Sequence, residues 1–250
     1  MWDAFITFMI NILLYIYNLV GQNFGLAIIL FTILVRLLMY PLTARQVKSS
    51  KAMQDLQKSK KWQDIQKKYK DDKEKLAQKQ MEVYQEMGIS PFGSCLPLLL
   101  QFPIIIGLYQ AIIRTLAVTP VQLVNLSKHI NDGAQLIPIN SQFLWMELSE
   151  PERLQIFGIG VPILAILVVI TSYIQTKMVS TSAPGDDGGQ GAQMSQAMSL
   201  YMPFFMGYLA LTFASGLALY FIATNLTTIA QYVILGQADF KNLIPNFSSS

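Results

Sequence analysis

The chain has 250 residues, of which 52% are hydrophobic and only 13% charged, with a mean hydropathy of +0.39, about half the charge usual in a soluble domain. One Cys and one His accompany 18 Lys+Arg and 15 Asp+Glu, which excludes a disulfide framework and a Cys/His metal cluster. The charge is concentrated: segment 43–91 holds 12 of the basic and 7 of the acidic residues, a net +5, leaving −2 on everything else.

Met1-Trp2-Asp3 opens with an acid where a secretory signal would carry its basic region, so no such signal is expected. Residues 1–22 are apolar but interrupted by Asp3 and Asn11, with Asn18, Gln22 and Asn23 close behind. That pattern predicts an amphipathic helix lying flat at the outer interface, with Trp2, Tyr15 and Tyr17 at headgroup level. The alternative is a sixth span, which moves the N-terminus to the other side.

A helix needs about 20 mostly apolar residues to cross about 30 Å of hydrocarbon. The first such run is 23–42, broken only by Thr32 and Arg36 from Phe24 onward. Segment 43–91 is then rich in Lys, Gln and Glu, with apolar residues at helical spacing: Met53 and Leu56, Trp62, Ile65 and Tyr69, then Leu76, Val83 and Met87 around Gln80. Lys70-Asp71-Asp72-Lys73 separates two stretches, predicting an antiparallel helical hairpin. Its lysines equally suit a partnerless hairpin drawn to anionic lipid.

The second span is 94–117, carrying Pro97, Gln101, Pro103, Gln110 and Arg114. An external loop, 118–153, leads to a third span over 154–176, where Gly158, Gly160 and Pro162 suggest close packing or a bend. Segment 177–198 contains STSAPGDDGGQGAQ, which has nothing to bury and is expected to be a flexible tether. The run after it breaks at Ala214-Ser215-Gly216, giving spans 199–214 and 216–236; the former is short, about 20 Å. The tail, 237–250, lacks a basic run.

The expected fold is therefore an all-α polytopic membrane protein of five transmembrane helices. The basic block places 43–91 in the cytoplasm, with the N-terminus outside and the C-terminus inside. Loop 118–153 agrees, since Lys128 and Arg153 stand against Asp132, Glu147, Glu150 and Glu152, a net −2.

Arg36 is the residue that points to function. It lies 12 residues past Phe24, and no Asp or Glu occurs in any of the five spans. An unpaired cation there costs at least about 2.5–3.5 kcal/mol on insertion scales. Two readings fit: the side chain snorkels to the cytoplasmic headgroups, or it faces a hydrated cavity lined by Thr32, Gln101, Gln175, Asn225, Thr228 and Gln231. In the second case it is a receptor for something anionic or polar.

Several segments in order resemble the YidC/Oxa/Alb membrane protein insertases. They are Leu34-Val35-Arg36-Leu37-Leu38-Met39-Tyr40-Pro41-Leu42, Ile65-Gln66-Lys67-Lys68-Tyr69, Gly93-Ser94-Cys95-Leu96-Pro97 with Gln101-Phe102-Pro103, Phe143-Leu144-Trp145-Met146-Glu147-Leu148-Ser149, and Ser215-Gly216-Leu217-Ala218-Leu219-Tyr220 with Asn225. The likeness spans roughly residues 12–235. It implies five helices around a hydrophilic groove that is open to the cytoplasm and to lipid but closed outside. Arg36 matches the groove arginine, Thr32 a client-contacting position, and Gln101 and Tyr220-Phe221 groove- or client-facing positions; Lys67, Lys68 and Tyr69 fall in the client-receiving hairpin.

The implied function is insertion and chaperoning of nascent membrane proteins in a bacterial plasma membrane. Small single- or double-span proteins are the expected clients, and the Sec translocon, the ribosome and the lipid bilayer are candidate partners; no cofactor, metal, DNA binding or covalent catalysis is expected. Competing classes are a small transporter or channel using Arg36 as an anion site, and a non-inserting assembly scaffold using hairpin 43–91.

Overall fold

The computed structural model describes residues 2–69, 72–88, 96–116, 139–156, 159–179 and 190–236. Among these residues the structure is mainly helical: α1 (Trp2–Leu19), α2 (Phe24–Leu38), α3 (Tyr40–Lys58), α4 (Lys60–Lys68), α5 (Lys73–Glu86), α6 (Leu96–Thr115), α7 (Ile163–Val179), α8 (Gln190–Thr212) and α9 (Ser215–Ile234). Two antiparallel strand pairs lie between α6 and α7: β1 (Gln142–Phe143) with β2 (Met146–Glu147), and β3 (Leu154–Ile156) with β4 (Ile159–Val161).

The core is the bundle of α1, α2, α6, α7, α8 and α9, with α9 packed against α2, α6, α7 and α8. Apart from Thr32 and Arg36, α2 is apolar all round: Phe24, Ala27, Ile28 and Phe31 are buried, whereas Leu26, Leu30, Leu34, Leu37 and Leu38 are exposed. Such a helix suits a lipid surround. By length and composition α1 and α9 are candidate membrane spans, and α2 with the first part of α3 makes a third if the bent pair is one span; Ile163–Met178 and Leu200–Thr212 are shorter apolar helices.

α1 buries Ile6, Met9, Ile10, Leu13, Leu14 and Tyr17 against α2 and α6. Both its ends are tied to one end of the bundle. Arg114, in the last turn of α6, donates to Asp3 at 3.0 Å, and the Tyr17 hydroxyl accepts from the Asn140 amide at 3.0 Å while its ring lies 6.0 Å from that of Phe24. The same end is closed by the loop from Asn140 to Glu150. The Leu148 and Glu150 carbonyls accept the first amides of α9, from Gly216 at 3.1 Å and Ser215 at 2.8 Å, and the Ser215 hydroxyl donates to the Glu147 carbonyl at 2.6 Å. These bonds satisfy donors that a helix start otherwise leaves open.

Several expected boundaries differ. The first span does not run straight to Leu42: α2 stops at Leu38 and the chain bends by 62° into α3, because Pro41 lacks an N–H and restricts the residue before it. The third helix starts at Ile163, not Leu154, since residues 154–161 form the β3–β4 pair ahead of Pro162. The tether expected over 177–198 is helical from Gln190 onward, where Gln, Ala and Met are good helix formers; residues 180–189 fall outside the described set. The hairpin segment holds three helices, because Ser59 starts α4 by accepting the Trp62 amide at 3.3 Å. Cys95, most of loop 118–153 and tail 237–250 also lie outside the described residues.

Candidate functional site

The polar residues of α9 recur at Tyr220, Thr224, Thr228 and Gln231, a spacing that aligns them along one helix face, with Asn225 beside them. All five are buried. They reach three neighbouring helices, so α9 is the element that gathers the candidate site.

Tyr220 accepts a short hydrogen bond from the Gln101 side chain of α6, and its ring lies 5.9 Å from that of Phe221, itself buried in the core. Gln231 donates to the backbone carbonyl of Arg36 at 3.2 Å. The half-buried Arg36 guanidinium lies within electrostatic reach of the Tyr220 and Tyr232 hydroxyls, and among the described residues it has no carboxylate partner. Gln231 Oε1 is buried with no hydrogen-bond partner among the described residues. A buried polar atom left in that state costs about 1–3 kcal/mol, so this wall of α9 has polar capacity the protein does not use.

Other expected lining residues are differently engaged. Thr32 is 1% exposed and its hydroxyl donates to the Ile28 carbonyl of its own helix at 2.7 Å. Thr228 does the same to Thr224 at 2.7 Å. Asn225 spends both amide hydrogens on α7, donating to Thr171 at 3.0 Å and Ser172 at 2.8 Å, which makes it a tie between helices. Gln175, half-buried one turn beyond Ser172, makes no hydrogen bond among the described residues. The structure thus brings Arg36, Gln101, Tyr220 and Gln231 into one polar cluster and leaves Gln175 out of it.

In the charged segment, α4 and α5 fold back on each other. Trp62 packs on Tyr84 with ring centroids 5.2 Å apart, Leu56 and Val83 complete the small core, and Lys61 pairs with Glu86. Lys67 and Lys68 are exposed near its turn, and the Lys68 ammonium lies 5.5 Å from the Tyr69 ring centre. Lys61 holds the exposed Glu86 carboxyl below its ordinary range, chiefly by hydrogen bonding; the Lys75 side chain does the same to Asp72. Among the described residues no group of three or more His, Cys, Asp or Glu could hold a metal ion.

The family model described as 60Kd inner membrane protein matches residues 15–242. This chain belongs to that family. Membrane protein insertase MisCA of Bacillus subtilis (strain 168) is 35% identical over 243 residues, covering 96% of this chain and 81% of the relative. Membrane protein insertase YidC 2 of Listeria innocua is also 35% identical, over 246 residues that cover 96% of this chain and 74% of the relative. A crystal structure of active YidC insertase with its first transmembrane domain resolved superposes with a TM-score of 0.59 at 27% identity. The match covers 93% of this chain and 46% of that one, so the chain spans less than half the length of the solved relative.

Within this 60Kd inner membrane protein family member, sequence reasoning missed Tyr232 and Thr224. A tyrosine near a helix end reads as an interfacial anchor, and a lone threonine reads as packing; their signal was the repeat along the α9 face. Glu152 was also missed. It is only 8% exposed, accepts from Trp145 Nε1 at 3.1 Å and caps α7 by accepting the Leu164 amide at 3.1 Å.

Proposed function

We propose that this chain is a bacterial membrane protein insertase whose working site is the polar wall of α9 facing Arg36. In this reading α2, α6, α7, α8 and α9 are the five spans, α1 lies across their outer ends, and α3–α5 project into the cytoplasm. The observation that carries it is the half-buried Arg36 charge, which has no carboxylate partner among the described residues and lies within electrostatic reach of the buried Tyr220 and Tyr232 hydroxyls of α9. A short acidic or polar segment of a client gains solvation there, while its apolar segment leaves sideways into lipid. Apolar burial at about 25 cal/mol per Å² supplies most of the drive. No bond is made or broken, so the reading needs no catalytic residue and no cofactor.

Several supports come from outside the cluster. The loop from Asn140 to Glu150 caps α9 and stands over the end of the bundle where both ends of α1 are held, which suits closure on the outer side. The exposed Lys67 and Lys68 suit a cytoplasmic surface that meets clients or anionic lipid. The Sec translocon and the ribosome are candidate partners on the strength of the sequence resemblance alone.

The test is insertion of a purified single-span client with a short acidic N-terminal tail into proteoliposomes, scored by protease protection against empty liposomes. Protection well above the empty control is expected. An ion pair at about 6 Å in an effective dielectric of 20 is worth about 3 kcal/mol, and water in the cavity screens part of it. Arg36→Ala is therefore expected to lower insertion by about tenfold, and Arg36→Lys by less. Equal protection in loaded and empty vesicles, with folding and orientation verified, refutes Sec-independent insertion; full activity of Arg36→Ala refutes the role of the charge.

A further inference from the structure

The break between α2 and α3 releases a carbonyl at the centre of the site. In an unbroken helix the Arg36 carbonyl takes the amide four residues on, that of Tyr40. Here Tyr40 begins a new helix at 62° to the first, and the cap amide of Met39 turns back to the Val35 and Leu37 carbonyls. The carbonyl of Arg36 is met instead by Gln231 Nε2 of α9, at 3.2 Å. Gln231 is 5% exposed, so this bond is shielded from bulk water, and its Oε1 has no partner among the described residues that would hold the side chain elsewhere.

We infer that Gln231 is a positioning residue: its side-chain amide clasps the α2–α3 break and fixes the point from which the Arg36 side chain leaves its helix. Three facts converge on it. Pro41 makes the break, the break frees the carbonyl of the same residue that carries the functional charge, and α9 supplies the replacement donor. Through this donated bond Gln231 acts on a client by way of Arg36. With the clasp gone, the last turn of α2 is held only by its own backbone, and the guanidinium loses its defined origin while its charge is intact.

This inference rests on the proposed role of Arg36, and the experiment separates the two. Two clients that differ only in having an acidic or an uncharged translocated tail are inserted by the wild-type protein, Arg36→Ala, Gln231→Met and the double variant. Methionine matches glutamine in length but donates no hydrogen bond. Loss of one such bond is expected to lower insertion of the acidic-tailed client about fivefold, to lower that of the uncharged-tailed client less, and to add nothing to Arg36→Ala in the double variant. Equal losses for both clients, or losses that multiply in the double variant, overturn the inference while leaving the Arg36 reading intact. An Arg36→Ala protein of full activity overturns both. Should Gln231→Met not be recovered folded, Gln231→Asn withdraws the donor by one methylene but keeps an amide; the same split is expected, and an equal loss for both clients overturns the inference.

Discussion

Asn225 offers the most direct test of how the bundle around the site is held. Its side chain donates to Thr171 at 3.0 Å and to Ser172 at 2.8 Å, joining α9 to α7. Asn225→Leu removes both bonds while roughly keeping the volume. Interhelical hydrogen bonds in membrane proteins average about 0.6 kcal/mol each, so the two together are worth about 1.2 kcal/mol, or roughly eightfold in the unfolding equilibrium. The acceptors then fare differently. Thr171 keeps its bond to the Leu167 carbonyl at 2.7 Å, whereas Ser172, 7% exposed, has no other partner among the described residues. Its stranded hydroxyl raises the total to about 2–4 kcal/mol. Equilibrium unfolding in mixed micelles measures the loss, and Ser172→Ala in the Asn225→Leu background is expected to return about 1 kcal/mol of it. A loss below about 0.3 kcal/mol, or no rescue by Ser172→Ala, refutes the assignment of Asn225 as the α7–α9 tie.

Three further outcomes are expected. A Cβ added at Gly25 would sit 2.2 Å from the Phe143 ring, so Gly25→Ala should destabilise the protein by about 1–3 kcal/mol and Phe143→Ala should partly relieve it; an unchanged midpoint in thermal unfolding would show that the ring moves aside freely. Trp62→Ala empties the small core shared with Leu56 and Val83 and should speed amide hydrogen exchange in α4 and α5 by at least tenfold, for a local cost of about 3–5 kcal/mol, while α2 and α9 keep their protection. Uniform loss of protection would mean that the two regions unfold together. Glu86 and Asp72 have carboxyl groups held below their ordinary 4.5 and 3.8 by Lys61 and Lys75. Their contribution is complete above those values and is lost as pH falls through the lower folded-state ones, so α4–α5 exchange should rise only in acid. Both groups are fully exposed, so the change should be small and shrink further in high salt; a transition near pH 6 would contradict it.

The helical class, the apolar runs, the charged block and the break at Ala214-Ser215-Gly216 were legible in the sequence because each is a local property of composition and period. Arg36 stood out in the sequence for a related reason: an unpaired cation in an apolar run is costly wherever the helix ends up. Boundaries were less so. Leu154–Val161 is apolar enough to extend a span, and only pairing between Leu154–Ile156 and Ile159–Val161 diverts it into strands. Gln190–Ser199 follows a glycine-rich stretch that looks unstructured, yet it continues α8, because helix propagation from a packed segment costs less than starting anew.

The partners of each polar side chain belonged to tertiary structure alone. Thr32, Asn225, Thr228 and Gln231 are alike in sequence terms, as uncharged polar residues in apolar helices. The structure gives them separate tasks: Thr32 and Thr228 bond their own backbones, Asn225 ties α9 to α7, and Gln231 meets the carbonyl freed at the α2–α3 break. Period and composition determine which face of a helix is polar. What that face touches depends on how neighbouring helices cross it, and a hydrogen bond formed across about 3 Å is decided by that crossing.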